Sequence, residues 1–307
     1  MKKIKGIIAP NLTLFNKNNK IDLMKNKVHM EWMINNGVNG FFLTGSYGSG
    51  PLMSVEERVE IYKLAVELKR KYDDLKLIAH VGCIDTESTL VLAKEAERCG
   101  VDIIASVAPY YYKYSEDNIL SFYEKIVSEV SIPVYAYNNP KTTGFTFSLA
   151  FIDKLKKCGV KGMKDSSMNC EFLSKLLCEE DCDFDIVLGT STGWLPYTYL
   201  GIDAMIAGMC NYAPEIIYEL YDNTMSQNWD IAKKTYIEMI RLNTALKKID
   251  STILSTLALK ARGLQEIYTR EPLKVDDVDQ AFSEKIENEI SKSFENLGLK
   301  KEFCAFV

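Results

Sequence analysis

VYAYNNPKTTGFTFSLAFIDKLKKCGVKGMKD, residues 134–165, holds the organisation of most of the chain in miniature. Val134–Tyr137 is short and built from β-branched and aromatic residues, which favour a strand. Asn138-Asn139-Pro140 ends it. Ser148–Lys157 carries apolar residues at helical spacing. Gly159 follows where a left-handed helix terminus is needed. Val160–Lys164 then reads as a second strand. Two strands separated by a helix form a parallel pair, because a parallel pair needs a long crossover.

The same unit recurs on both sides. Strands are expected at Gly6–Ala9, Gly40–Thr44, Leu77–Val81, Ile103–Val107, Asp185–Leu188 and Ala204–Ala207, making eight in all. Helical periodicity marks Leu23–Asn35, Val55–Lys71, Thr86–Arg98, Glu116–Glu129, Glu171–Glu179 and Pro214–Met225. Ser54-x-x-Glu57 opens the second of these as a capping box, and Gly37 and Gly100 close two others. Alternation of this kind implies a parallel sheet covered by helices. The first strand runs into Ala9-Pro10-Asn11-Leu12 without the G-x-G-x-x-G turn of dinucleotide-binding sheets. Eight units fit an α/β fold of the closed (β/α)8 TIM-barrel type, placed at residues 1–225. Residues 226–307 read as a C-terminal helical extension, with helices at Asp230–Lys247, Ser251–Arg262 and Val278–Leu297. Pro272 and Asp276-Asp277 separate the last two.

Composition narrows the chemistry. The 307 residues are 47% hydrophobic and carry a net charge of −5, which gives no general attraction to nucleic acid or anionic membrane. The apolar runs are far short of the roughly 20 residues of a spanning helix. The basic start, Met1–Lys5, lacks a signal-peptide apolar stretch, so a cytoplasmic protein is expected. Eight cysteines without a CxxC pair read as free thiols. The two histidines, His29 and His80, exclude a zinc site built on several histidines. His29 falls in a helical pattern and His80 in a strand, where a packed, hydrogen-bonded imidazole is expected. Acid–base chemistry should therefore rest on other side chains.

Barrel active sites lie at the C-terminal ends of the strands. The second strand ends in Thr44-Gly45-Ser46-Tyr47-Gly48-Ser49-Gly50, whose amides and hydroxyls suit a carboxylate or phosphate. The fourth enters Pro109-Tyr110-Tyr111-Tyr112-Lys113-Tyr114. The fifth would hold the Tyr137 hydroxyl in the barrel mouth. The seventh and eighth end in Gly189-Thr190-Ser191-Thr192-Gly193 and Ile206-Ala207-Gly208-Met209, a second polar region. Lys164 tops the sixth. It either pairs with Asp165 at the rim or is a desolvated amine, and a neutral amine is a nucleophile toward carbonyls.

Taken in order, Gly45-Ser46-Tyr47-Gly48-Ser49, Pro109-Tyr110-Tyr111, Tyr137-Asn138-Asn139-Pro140 and Gly162-Met163-Lys164-Asp165 resemble the motifs of one family. It is the pyruvate-dependent class I aldolases, the dihydrodipicolinate synthase and N-acetylneuraminate lyase family. The resemblance covers about residues 4–220. It implies a Schiff-base lyase in which Lys164 forms an imine with pyruvate or another 2-oxo acid and Tyr137 relays protons. Tyr111 would complete the relay from a neighbouring subunit. Ser46 and the amides of Ser46 and Tyr47 would bind the carboxylate, and the Ile206 carbonyl would line the site. Gly48, Thr142, Gly189, Ser191 and Gly208 are the remaining expected substrate contacts.

No metal or organic cofactor is implied. The partners are small molecules, a 2-oxo acid and an aldehyde, and the chain should be a homodimer or homotetramer. Three positions depart from the family pattern. Tyr47 replaces a threonine, Ser49 replaces a glutamate, and Thr142 stands where the synthase has an arginine. Bond making or breaking between pyruvate and an aldehyde or sugar acid is the expected reaction. The alternatives are the synthase or sialic acid lyase proper, a keto-deoxy sugar-acid dehydratase, and a non-catalytic ligand-binding paralogue.

Overall fold

Side chains alternate along each strand and so sort into two layers. In the computed structural model, which describes residues 3–72, 74–179, 184–275 and 278–300, eight parallel strands close into a barrel in chain order. They are β1 (Gly6–Ala9), β2 (Gly40–Leu43), β3 (Lys76–His80), β4 (Ile103–Val107), β5 (Val134–Asn138), β6 (Gly162–Asp165), β7 (Asp185–Leu188) and β8 (Ala204–Ile206). β8 returns to β1 through the Ile8–Ile206 register. Ile8, Phe42, Ile78, Val107, Tyr137 and Val187 fill the inside, while Ile7, Phe41, Leu77, Ile104 and Met163 face the helices. At the bottom of the barrel Tyr135 donates its hydroxyl to buried Asp185 at 2.6 Å.

The helices are α1 (Leu23–Asn35), α2 (Val55–Lys69), α3 (Thr86–Cys99), α4 (Glu116–Glu129), α5 (Pro140–Thr143), α6 (Leu149–Cys158), α7 (Cys170–Leu177), α8 (Trp194–Thr198) and α9 (Pro214–Met225). α10 (Trp229–Leu246), α11 (Ser251–Ala261) and α12 (Gln280–Leu297) follow. The capping box at Ser54 and Glu57 is present. β6 begins two residues later than its apolar pattern predicts. The Val160 amide is already used to close α6, donating to the Leu155 carbonyl at 3.0 Å, with Gly159 in the left-handed region. The short α5 and α8 lie in segments that carry no helical period long enough to read.

The C-terminal helices are tied to the rest. Buried Arg262 pairs with Glu215 of α9 at 2.6 Å, Arg270 pairs with Glu57 of α2 at 2.7 Å, and Phe15 forms an antiparallel bridge with Tyr268. Cys83, Cys99, Cys158, Cys170, Cys178 and Cys210 are free thiols; Cys182 and Cys304 lie outside the described residues, as do Asp276 and Asp277. Among the described residues no helix is long and apolar enough to cross a membrane.

Candidate active site

The parallel register of β5 and β6 sets Tyr137 directly beside Lys164. Both residues face the barrel interior at its C-terminal end and are about 5% exposed. The Lys164 Nζ lies 3.8 Å from the centre of the Phe42 ring and 4.0 Å from that of Tyr137. Aromatic faces carry partial negative charge and accommodate a cation there. Burial pushes the Lys164 amine below its ordinary value, and the charge of Tyr137 and hydrogen bonding to it pull partly the other way.

Asp165 is not its partner. One carboxylate oxygen accepts from Asn138 Nδ2 at 2.6 Å and the other from the Ser167 hydroxyl at 3.0 Å. Strand alternation turns Asp165 to the opposite face from Lys164. Among the described residues no carboxylate lies within ion-pair distance of Lys164. Of the two readings of this lysine, the structure supports the desolvated amine.

His80 closes a third side of the same pocket. Its ring meets that of Tyr137 edge-on, with centroids 6.0 Å apart, and that of Phe42 at 5.8 Å. Burial, then the Arg58 cation and Lys164 in its protonated form, hold the imidazole well below its ordinary pKa, so it stays neutral. Arg58 is 2% exposed. Its Nη2 donates to the His80 carbonyl at 2.5 Å, its Nη1 to the Gly82 carbonyl at 3.2 Å and its Nε to the Thr44 hydroxyl at 3.3 Å. Tyr62 adds its hydroxyl to the His80 carbonyl at 2.6 Å. This cluster clamps the top of β2 to the top of β3. Sequence reasoning missed Arg58, although its spacing from Val55 and Tyr62 puts a charge on the apolar stripe of α2.

The loop after β2 is folded back on itself. Thr44 and Ser49 both have left-handed backbones, with φ of 50° and 54°. A Cβ on Gly50 would collide with the Thr44 carbonyl, so that position must be glycine. The Gly50 amide donates to the Gly45 carbonyl at 3.1 Å, and the Thr13 hydroxyl holds the Gly48 carbonyl at 2.7 Å. The amides of Ser46 and Tyr47 have no acceptor among the described residues. Adjacent unpaired N–H groups in a fixed loop form a seat for an anion.

The other expected contacts divide into two groups. Ile206 is buried at the top of β8, Gly208 follows it, and Ser191 is 5% exposed after β7. The Gly189 amide is bonded to the Asp165 carbonyl at 2.6 Å. Tyr47 and Gly208 touch: a Cβ on Gly208 would strike the Tyr47 hydroxyl and Cζ. Thr142 and Tyr111 stand away from this cluster. Thr142 is exposed and donates its hydroxyl to the Asn139 carbonyl at 3.1 Å. Tyr111 is 85% exposed, with a left-handed φ of 88° and its ring edge-on to Tyr112 at 5.1 Å. Within the chain, Tyr110 rather than Tyr111 packs against the cluster inside the barrel.

Comparison with known proteins agrees with this architecture. A 4-hydroxy-tetrahydrodipicolinate synthase of Desulforamulus reducens is 27% identical over 269 residues, covering 87% of this chain and 90% of that protein. The enzyme of the same name from Archaeoglobus fulgidus is 27% identical over 294 residues, covering 94% and 98%. Among solved structures, a variant of the 2-keto-3-deoxygluconate aldolase of Sulfolobus solfataricus superposes with a TM-score of 0.85 at 26% identity, covering 95% of this chain and 97% of the other. CdNal of Clostridium difficile, solved with mannosamine, has a TM-score of 0.88 at 24% identity, covering 95% and 100%, and shows the fold. Residues 3–292 match the family described as the dihydrodipicolinate synthetase family, and the chain belongs to it.

Proposed function

We propose that the chain is a carbon–carbon lyase that joins or splits pyruvate and an aldehyde through an imine on Lys164. The observation that carries this is the Lys164 amine, buried between the Phe42 and Tyr137 rings without a carboxylate partner among the described residues. Desolvation favours the neutral amine, which is the nucleophilic form. The amine attacks C2 of pyruvate, forming the Nζ–C2 bond. The carbonyl oxygen, protonated from Tyr137, leaves as water. The resulting cationic imine acidifies C3. The Tyr137 phenolate takes a C3 proton to give an enamine, the enamine adds to the aldehyde carbon as the aldehyde oxygen takes a proton from Tyr137, and water hydrolyses the imine to free the product. Cleavage runs the same steps backwards.

Tyr137 suits the relay because a phenol both donates and accepts. The Ser46 and Tyr47 amides would receive the pyruvate carboxylate. Tyr111, exposed on a strained turn, would serve a neighbouring copy's site in a homo-oligomer.

Thr142 bears on the second substrate. Its hydroxyl is turned onto the Asn139 carbonyl, so this position offers no cation to an acidic aldehyde. The loop after β7 offers Thr190, Ser191 and Thr192, with Thr190 and Thr192 hydroxyls 2.9 Å apart. A neutral, hydroxylated aldehyde, and hence a 2-keto-3-deoxy sugar acid as its pyruvate adduct, is the substrate these residues favour. Borohydride reduction with pyruvate tests the imine: mass spectrometry should find a reduced pyruvyl adduct on Lys164. Its absence would sink the proposal. A panel of keto-deoxy sugar acids, sialic acids and aspartate semialdehyde, scored for pyruvate release or uptake, tests the partner.

A further inference from the structure

We propose that Tyr236, on α10 of the C-terminal extension, is a positioning residue for the aldehyde: it fixes the loop after β7 so that Ser191 can bond a hydroxyl of that substrate. The inference rests on the imine and the hydroxylated aldehyde argued above, and it names the group through which that aldehyde is held.

The loop is pinned on both sides of Ser191. At its start the Gly189 amide donates to the Asp165 carbonyl at 2.6 Å. A Cβ on Gly189 would strike that carbonyl and the Ser166 hydroxyl, so the chain leaves β7 pressed against the top of β6. On the other side the Tyr236 hydroxyl donates to the Thr192 carbonyl at 2.7 Å. The Tyr236 ring is half-buried against the core. α10 is itself braced by α12, where Arg241 pairs with Glu289 at 2.5 Å and Asn296 Nδ2 donates to Glu238 at 3.2 Å. Tyr236 is therefore a fixed anchor.

The bonds inside the loop decide which hydroxyl is left for a ligand. The Thr190 hydroxyl accepts from the Thr192 amide at 3.2 Å and lies 2.9 Å from the Thr192 hydroxyl. The Thr192 hydroxyl also reaches Met168 Sδ, on the loop after β6, at 3.7 Å. With its carbonyl on Tyr236, Thr192 has every polar atom engaged within the chain. The Ser191 hydroxyl has no partner among the described residues, yet it is not sealed off, for the residue keeps 5% of its surface. A nearly buried hydroxyl gains from a partner that satisfies it. Val187 is level with Lys164 in the β6–β7 register, so Ser191 stands beyond the amine toward the open end of the barrel. An aldehyde that reaches the imine from that end passes this loop, and its hydroxyls need a partner there.

The test measures kcat/KM for addition of pyruvate to two aldehydes by the full-length chain. Glyceraldehyde carries hydroxyls; propanal has the same carbon chain without them. Wild type should prefer glyceraldehyde. Tyr236→Phe keeps the ring and loses only the hydroxyl. It should lower kcat/KM for glyceraldehyde about three- to tenfold, the worth of one net hydrogen bond, chiefly through KM. Propanal and borohydride trapping of pyruvate should stay at wild-type rates. In a Ser191→Ala background Tyr236→Phe should cost glyceraldehyde nothing further, because the two residues act as one unit. An equal loss for both aldehydes, or a loss for neither, overturns the proposal, as does a Tyr236→Phe effect that persists in Ser191→Ala. Loss of pyruvate trapping in Tyr236→Phe also overturns it, by making the bond a general support of the barrel. A wild type that traps pyruvate but does not prefer glyceraldehyde overturns the role of Ser191 and the proposal with it. A wild type that traps no pyruvate overturns the imine reading and all that rests on it, a result distinct from each of these.

Discussion

Lowering the pH should destabilise this protein through His29, a residue with no place in the chemistry. His29 is fully buried in α1, and its Nε2 donates to the Asn211 carbonyl at 2.8 Å. Its Nδ1 is buried without a hydrogen-bond partner. Burial, only partly offset by the bond to Asn211, lowers its pKa from 6.5 to about 4. In the unfolded chain the imidazole titrates near its ordinary value, so between these limits the unfolded state binds the extra proton. Stability then falls as pH falls. The contribution is whole above about 6.5, declines through the window, and is gone below about 4.

Between pH 7.5 and 4.5 the linkage amounts to about 2.5 kcal/mol, at about 1.4 kcal/mol per pH unit. Carboxylates titrate over the same range, so a difference is needed. Urea melts of wild type and His29→Gln, a neutral variant that can still donate to Asn211, should show a stability gap that narrows by that amount on acidification. A gap constant within about 0.5 kcal/mol would mean that His29 titrates alike in both states, and would refute the reasoning. The effect reaches the site, because the Asn211 side chain also bonds the Pro10 and Gly208 carbonyls, each at 3.0 Å, and accepts from the Leu12 amide at 2.8 Å.

Three further outcomes are expected. Tyr137→Phe keeps the ring against Lys164 and Phe42 but loses the proton carrier; kcat should drop about 10²- to 10⁴-fold while borohydride still labels Lys164, and an unchanged kcat would remove Tyr137 from the relay. Because burial lowers the Lys164 pKa, amine attack should be lost as pH falls through a value below the usual 10.5 of lysine, with the free amine present above it; an acid limb of kcat/KM at or above 10.5 contradicts this. Arg58→Leu leaves the Gly82 carbonyl without a donor and the His80 carbonyl with fewer, and should cost about 2–4 kcal/mol in a denaturant melt together with weaker pyruvate binding; a loss under about 0.5 kcal/mol would show the clamp to be dispensable.

Much of this was legible in the chain. The eight strands follow from short β-rich runs, and several elements, β1, β4, β7, α1, α4 and α9, begin and end where the apolar pattern does. Lys164 and Tyr137 could be singled out because polar groups at the tops of barrel strands have few structural reasons to be there. Contacts made by the backbone were hidden. Nothing local shows that the Thr44 carbonyl excludes a side chain at Gly50, or that Arg58 spends its donors on main-chain oxygens. Such contacts join residues that only closure of the barrel brings together. The Tyr47–Gly208 contact is of the same kind, since only the fold puts the two residues in one place.

The register that sets Tyr137 beside Lys164 has a consequence for how the chain can change. The pair is positioned by the hydrogen-bond ladder between two strands, so the crossover through α5 and α6 is free to vary in length. An extra residue near Gly144, an exposed turn, would lengthen the excursion and leave the amine and the phenol where they are. An extra residue inside Val134–Tyr137 would rotate the phenol out of the barrel, because successive side chains alternate faces. The Lys164–Tyr137 pair is thus insulated from changes in that crossover, which can be rebuilt without displacing either side chain.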